Sequence, residues 1–188
     1  MSKILILVGQ AGSGKDTAAD YICKKYGYKH ISTADILRDY IKKNMLGDLT
    51  RQNMHKVATK LRDEQGNDVL VRWALEGAGT QKILLSALRH PEEADYAIAK
   101  GGKVISTVAS AESRYKRSLL RNRIGDKIDF DTFKQLEINE NKNAHFDVSA
   151  IQDRADYTLH NNAGYKSFYN QIEFVMLSLA EDHNEMLK

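Results

Sequence analysis

The chain has 188 residues, 42% of them hydrophobic and 28% charged, which suits one domain with a real core and leaves little room for two. Lys plus Arg number 28 against 25 Asp plus Glu, a formal charge of +3, so the composition carries no nucleic-acid signature. The longest apolar run, Ile4 to Val8, is far shorter than the roughly 20 residues of a membrane helix, and a lone Cys23 excludes an internal disulfide or a multi-cysteine zinc cluster. A cytoplasmic protein is therefore expected, with neither membrane nor nucleic acid as partner. A monomer is compatible with this composition.

Apolar runs of strand length fall at Lys3 to Val8, Lys29 to Ser32, Lys82 to Leu85, Lys103 to Val108 and Tyr157 to His160, with longer helical stretches between them. Strands alternating with helices predict a parallel sheet covered on both faces. After the first strand, Ala19, Ile22, Cys23 and Tyr26 recur at i, i+3, i+4 and i+7, and Gly27 stops that helix. Gln52 to Leu75 reads as two helical pieces, since Gly66-Asn67-Asp68 supplies a stop and a new N-cap. The only proline, Pro91, opens a helix through Ala99, which Gly101-Gly102 ends. A helix over Glu112 to Ile124 carries Arg114, Arg117 and Arg121 at i, i+3 and i+7, with Arg123 just beyond. Phe168, Ile172, Val175, Met176 and Leu179 mark a closing helix. Trp73 and Cys23 read as core residues.

The chemistry concentrates where the first strand meets Gly9-Gln10-Ala11-Gly12-Ser13-Gly14-Lys15-Asp16-Thr17 and then a helix. A phosphate-binding loop requires that order. Glycines let backbone N–H groups turn inward around a phosphate, the helix N-terminus adds a favourable dipole, and Lys15 reaches the terminal phosphates. Gly12, Ser13, Gly14, Lys15, Asp16 and Thr17 are thus the candidate ATP-binding residues. The general pattern places Ser or Thr directly after the lysine to hold magnesium, whereas Asp16 stands there and Thr17 follows. Magnesium is accordingly expected on the nucleotide and water, near Thr17, with no direct protein ligand. The six histidines lack metal-ligand spacing, and His30 and His160 read as packing or satisfied polar residues.

Gly-x-x-Gly-x-Gly-Lys-x-Thr, with threonine second after the lysine, resembles the loop of P-loop nucleoside monophosphate kinases. Lys25-Tyr26-Gly27-Tyr28-Lys29-His30-Ile31-Ser32-Thr33-Ala34-Asp35-Ile36-Leu37-Arg38 looks like adenylate kinase, while Lys15-Asp16-Thr17-Ala18-Ala19-Asp20 is similar to deoxynucleoside monophosphate kinases. Leu88-Arg89-His90-Pro91-Glu92-Glu93 and Gly101-Gly102-Lys103-Val104 are similar to those and to dephospho-CoA kinases. The first 40 residues match most specifically. The resemblance implies an α/β, three-layer P-loop kinase fold over residues 1–188: a five-stranded parallel sheet with helices on both faces, acceptor-binding helices at about 33–78 and a short lid at about 121–132.

It also implies roles. Arg38 would clamp the acceptor phosphate, Thr33 would line its pocket, and Arg89 would sit at the C-terminal edge of the sheet, where ligands of open α/β folds bind. Arg117 and Arg123 would meet the donor phosphates from the lid, with Arg114 and Arg121 nearby. In related kinases the third strand often ends in Asp-Gly; Ser86 and Ala87 stand there, which removes an acid and leaves Asp35 as the natural replacement, both as base and beside the magnesium water. Ala155-Asp156-Tyr157-x-Leu159-x-Asn161 resembles the family's last strand, after which Asn161 and Asn162 stand either at the donor base or in a turn. The implied activity is ATP- and Mg2+-dependent transfer of the γ-phosphate to a small phosphorylated acceptor, a (deoxy)nucleoside monophosphate. Two rivals are a dephospho-CoA kinase, with Asp35 as the base for a hydroxyl, and a P-loop NTPase acting as a switch or assembly factor.

Overall fold

A computed structural model describes residues 2–121, 128–141 and 147–185. Five parallel strands, β1 (Ile4–Val8), β2 (Lys29–Ser32), β3 (Ile83–Ser86), β4 (Lys103–Val108) and β5 (Tyr157–His160), form one sheet in the order β2-β3-β1-β4-β5. All five lie within a residue of the expected strands. The order reverses on either side of β1, so the loop leaving β1 opens at the switch point where such sheets bind ligands.

The alternation of Leu5, Ile6, Leu7 and Val8 sends successive side chains to opposite faces. On one face Leu5, Leu7, Leu84, Ile105 and Leu159 pack against α1 (Lys15–Tyr26) and α9 (Tyr165–Glu185), through Ala18, Ile22, Phe168, Ile172 and Met176. On the other, Ile6, Val8, Ile83, Leu85 and Val104 meet α4 (Val69–Ala78), α5 (Pro91–Ala99) and α8 (Val148–Gln152). This is the three-layer P-loop kinase fold. A separate apolar cluster of Leu37, Ile41, Ala58, Leu61, Val69 and Leu70 joins α2 (Thr33–Lys43), α3 (Arg51–Gln65) and α4 beside the sheet, the segment expected to hold the acceptor.

Several local expectations change. Asp68 precedes α4 without a side-chain cap bond; its carboxylate instead accepts from Arg72 Nη1 at 3.4 Å. Two helices were not predicted, the five-residue α8 and α7 (Phe130–Asn141), which packs Phe130 and Phe133 against Tyr115 of α6 (Ala111–Arg121). Trp73 is half-buried with its ring tilted against that of Tyr40, and Cys23 of α1 packs at the edge of the core. Among the described residues no helix is long and apolar enough to cross a membrane.

Candidate phosphate-binding site

Residues 9–14 leave β1 and enter α1 through a loop whose three glycines all have positive φ: Gly9 at 145°, Gly12 at 79° and Gly14 at 109°. Gly14 is the left-handed N-cap of α1, so the first orphan N–H groups of that helix point toward the loop. Space enforces glycine as firmly as conformation does. A Cβ on Gly9 would lie 2.3 Å from the Thr107 carbonyl oxygen, and one on Gly14 would lie 2.2 Å from Asn161 Nδ2. Lys15, the first residue of α1, donates from Nζ to the carbonyls of Gly9 at 2.6 Å and Gln10 at 2.9 Å, folding its ammonium over the loop it anchors. Asp16 is exposed and Thr17 half-buried in the same first turn.

The neighbouring strands hold the loop from below. Ser13 is fully buried and its Oγ pairs with Thr107 Oγ1 at 2.7 Å, while Thr107 Oγ1 also donates to the Val8 carbonyl at 3.2 Å. Asn161, which follows β5, donates from Nδ2 to the Ser13 carbonyl at 2.9 Å. Arg117 of α6 donates to the Gly12 carbonyl at 3.0 Å, the Asn161 carbonyl at 2.6 Å and Asn161 Oδ1 at 3.2 Å. Arg117 and Asn161 therefore form one bonded unit with the loop, and both ends of the Asn161 amide are engaged there. Asn162 Oδ1 accepts from Ser110 N at 2.9 Å, at the start of α6. Thr107 was not singled out from the sequence, although the polar Ser106-Thr107 pair interrupting an apolar strand was its visible trace.

The expected basic face of α6 divides. Arg114 is buried: its Nε donates to the Ala109 carbonyl at 3.0 Å and its Nη1 pairs with Glu137 of α7, so it ties α6 to α7. Burial lowers its pKa. Arg123 and half of the expected lid, residues 122–127, lie outside the described residues, as does the side chain of Arg121.

On the acceptor side, Thr33 is buried at the start of α2 and donates from Oγ1 to the Ala87 carbonyl at 2.8 Å, which binds α2 to the loop after β3. Asp35 and Arg38, one turn apart on α2, pair with each other on an exposed surface. Arg89 is exposed in the loop after β3. Its carbonyl accepts from Asp147 N at 3.0 Å. Ala87 adopts φ 63°, a left-handed conformation that costs an alanine about 1 kcal/mol or more. Ser86, where the missing acid would stand, pairs through Oγ with His30 Nε2 at 2.7 Å, a satisfied polar contact for the histidine. Among the described residues there is no group of three or more His, Cys, Asp or Glu placed to hold a metal ion. A magnesium ion at the loop would take Thr17, in the first turn of α1, as its hydroxyl, with the remaining ligands coming from phosphate and water.

A family model described as an AAA domain, AAA_17, matches residues 8–144, from the end of β1 through α7. The chain belongs to this AAA domain family. A UPF0200/UPF0201 protein of Archaeoglobus fulgidus is 25% identical over 96% of the chain, which spans 57% of that protein's length. A UPF0200 protein of Thermococcus kodakarensis is 27% identical, with 90% of this chain and 94% of that protein covered. The fold is shared with shikimate kinase from Bacteroides thetaiotaomicron, at TM-score 0.59 and 14% identity over 94% of this chain and 98% of that one. It is shared equally with dephospho-CoA kinase from Campylobacter jejuni, at TM-score 0.57 and 15% identity over 97% of this chain and 100% of the other.

Proposed function

We propose that this chain is an ATP-dependent phosphotransferase that moves the γ-phosphate of ATP to the phosphate of a small nucleotide, a (deoxy)nucleoside monophosphate, in a cytoplasmic setting. The observation that carries the proposal is the left-handed glycine loop leading into α1, with Lys15 at its centre, at the switch point of a parallel sheet. An oxygen of the acceptor phosphate attacks the γ-phosphorus, the bond to the bridging oxygen breaks, and ADP leaves with that oxygen. Such a transfer needs positioning and charge neutralisation more than covalent help.

Lys15 and the N–H groups of Gly12 to Thr17 hold the donor phosphates. Arg117 and Asn161 fix the shape of that loop, and Arg117 and Arg123 are assigned to the donor phosphates. Arg38, turning from Asp35, and Arg89 take the acceptor phosphate, and Thr33 closes the floor of that pocket. Magnesium on the triphosphate, when bound, spreads the charge of the transferred group, and Thr17 and water near Asp35 would hold it.

A second reading, transfer to a hydroxyl as in a dephospho-CoA kinase, is favoured by one observation: Asp35 is an exposed carboxylate in the first turn after β2, available as a base once Arg38 engages elsewhere. A panel of nucleoside monophosphates and dephospho-CoA, incubated with γ-labelled ATP and magnesium, separates the two. Labelled nucleoside diphosphate is the expected product. Turnover of dephospho-CoA and of no mononucleotide overturns the first reading, and ATP hydrolysis that only a macromolecular partner stimulates overturns both in favour of a switch.

A further inference from the structure

Glu93, in the first turn of α5, is fully buried. Its Oε2 accepts from the backbone N–H of Arg89 at 2.6 Å and of His90 at 3.2 Å, and its Oε1 faces Arg62 Nη2 of α3 at 3.4 Å. The Arg62 side chain is itself only 9% exposed, and its Nε is buried without a partner among the described residues. Desolvation raises the pKa of Glu93, against the opposing pull of the Arg62 charge and the two backbone N–H groups.

Capping α5 requires only the bond back to His90, its N-cap. The shorter bond reaches one residue further, to Arg89, and the other carboxylate oxygen faces a cation 31 residues earlier in the chain. Burying two charges for a cap alone is costly, since desolvation offsets most of their attraction. The loop that receives these bonds is held from two more sides, by Thr33 at the Ala87 carbonyl and by Asp147 at the Arg89 carbonyl. Asn67, in the turn between α3 and α4, adds a 3.0 Å bond to Glu92 beside Glu93. The acceptor-side helices and the segment bearing Arg89 thus share one buried polar joint.

We propose that Glu93 is a positioning residue for Arg89 and that Arg62 links it to α3, so that α3 and the Arg89 loop move as one unit. This rests on the reading that Arg89 meets the acceptor. Amide hydrogen exchange in the full chain tests the joint without any substrate. The N–H groups of Arg89 and His90 exchange slowly in the wild type, about tenfold or more faster in Glu93→Gln, and near the wild-type rate in Arg62→Lys, with Leu84 and Leu85 of β3 unchanged throughout.

The linkage is read from the ratio of affinities for di(adenosine) pentaphosphate and ADP, which falls by about tenfold in Glu93→Gln as ADP affinity is kept. Unchanged exchange at Arg89 and His90 overturns the positioning role, and faster exchange with an unchanged ratio overturns the linkage. If Glu93→Gln does not fold, open-loop exchange at these two amides in the wild type overturns the proposal by itself. A wild-type chain that binds the pentaphosphate no more tightly than ADP defeats an adenine mononucleotide as the acceptor, and exchange then still decides the role of Glu93.

Discussion

Replacing Asn161 by alanine removes a side chain that touches the glycine loop, Arg117 and the space above Gly14 together. The Ser13 carbonyl, beneath a fully buried residue, loses its 2.9 Å donor, and leaving a buried acceptor unpaired costs about 1–3 kcal/mol. Arg117 loses its 3.2 Å bond to Asn161 Oδ1 but keeps both carbonyl partners, so about 0.5–1 kcal/mol is lost there. The total, about 1.5–4 kcal/mol, lowers the melting midpoint of a chain this size by about 3–16 °C. Calorimetry measures that shift, and titration with ADP should show about tenfold weaker binding because a looser loop must be ordered on binding.

A double-mutant cycle sharpens the test. An alanine Cβ at Gly14 would stand 2.2 Å from Asn161 Nδ2, with its other near neighbours at 3.3 Å. Gly14→Ala should therefore cost at least about 1 kcal/mol less in the Asn161→Ala background than in the wild type, while the strain of φ 109° persists in both. A wild-type midpoint and ADP affinity in Asn161→Ala, or an additive cycle, would refute the claim that Asn161 shapes this loop.

Other expectations follow from the same geometry. Lys15→Met should weaken ATP binding by about a hundredfold in a calorimetric titration, since a buried phosphate contact from a cation is lost. Arg38→Ala should raise the acceptor KM by about a hundredfold while ATP affinity changes less than about twofold. Its melting midpoint should stay within about 3 °C of the wild type, because the pair with Asp35 is exposed and such pairs contribute about 1 kcal/mol at most. Burial pushes the Tyr28 hydroxyl, which donates to the Ser2 carbonyl at 2.5 Å, up to about 12 from an ordinary value of 10.0. The folded state thus holds this proton more tightly than the unfolded chain does, and the associated stability is present below pH 10 and lost as pH rises toward 12. In denaturant titrations Tyr28→Phe should lose less stability than the wild type across that interval; parallel curves would remove Tyr28 as a source of the slope.

What the sequence disclosed, and what it withheld, follows the range of the interactions. Strands, the glycine loop and the Pro91 helix start are set by neighbours a few residues apart, so apolar alternation and turn residues locate them. The α7 helix was hidden because Leu136 and Ile138 remain exposed, and its docking depends on Tyr115 and on the pairing of Glu137 with Arg114. That contact turns a helix face that reads as a row of phosphate-seeking arginines into one structural arginine and one loop-bound arginine, Arg117. Thr107 was invisible for the same reason, acting on a loop that the sheet order brings to it, whereas Glu93 bonds locally to Arg89 and His90 and only its burial against Arg62 of α3 depends on distant packing.

The end of β3 shows how far a loop shape outlives the residues that would explain it. Where the resemblance supplies Asp-Gly, glycine would take the left-handed conformation without strain, yet Ala87 holds it at φ 63°. The strain is tolerated because the surroundings over-determine the backbone: Thr33 holds the Ala87 carbonyl, and Glu93 holds the two N–H groups that follow Leu88. The acid is different, because nothing in the backbone replaces a charge. Ser86 instead pairs with His30 of the adjacent strand, a neutral hydroxyl and an imidazole where a carboxylate would bind a magnesium water. Scaffold and charge have thus separated at this strand end. Arg89 keeps its place at the sheet edge, and the acid that the resemblance calls for passes, in the proposed reading, to Asp35 of α2, the exposed carboxylate paired with the arginine assigned to the acceptor.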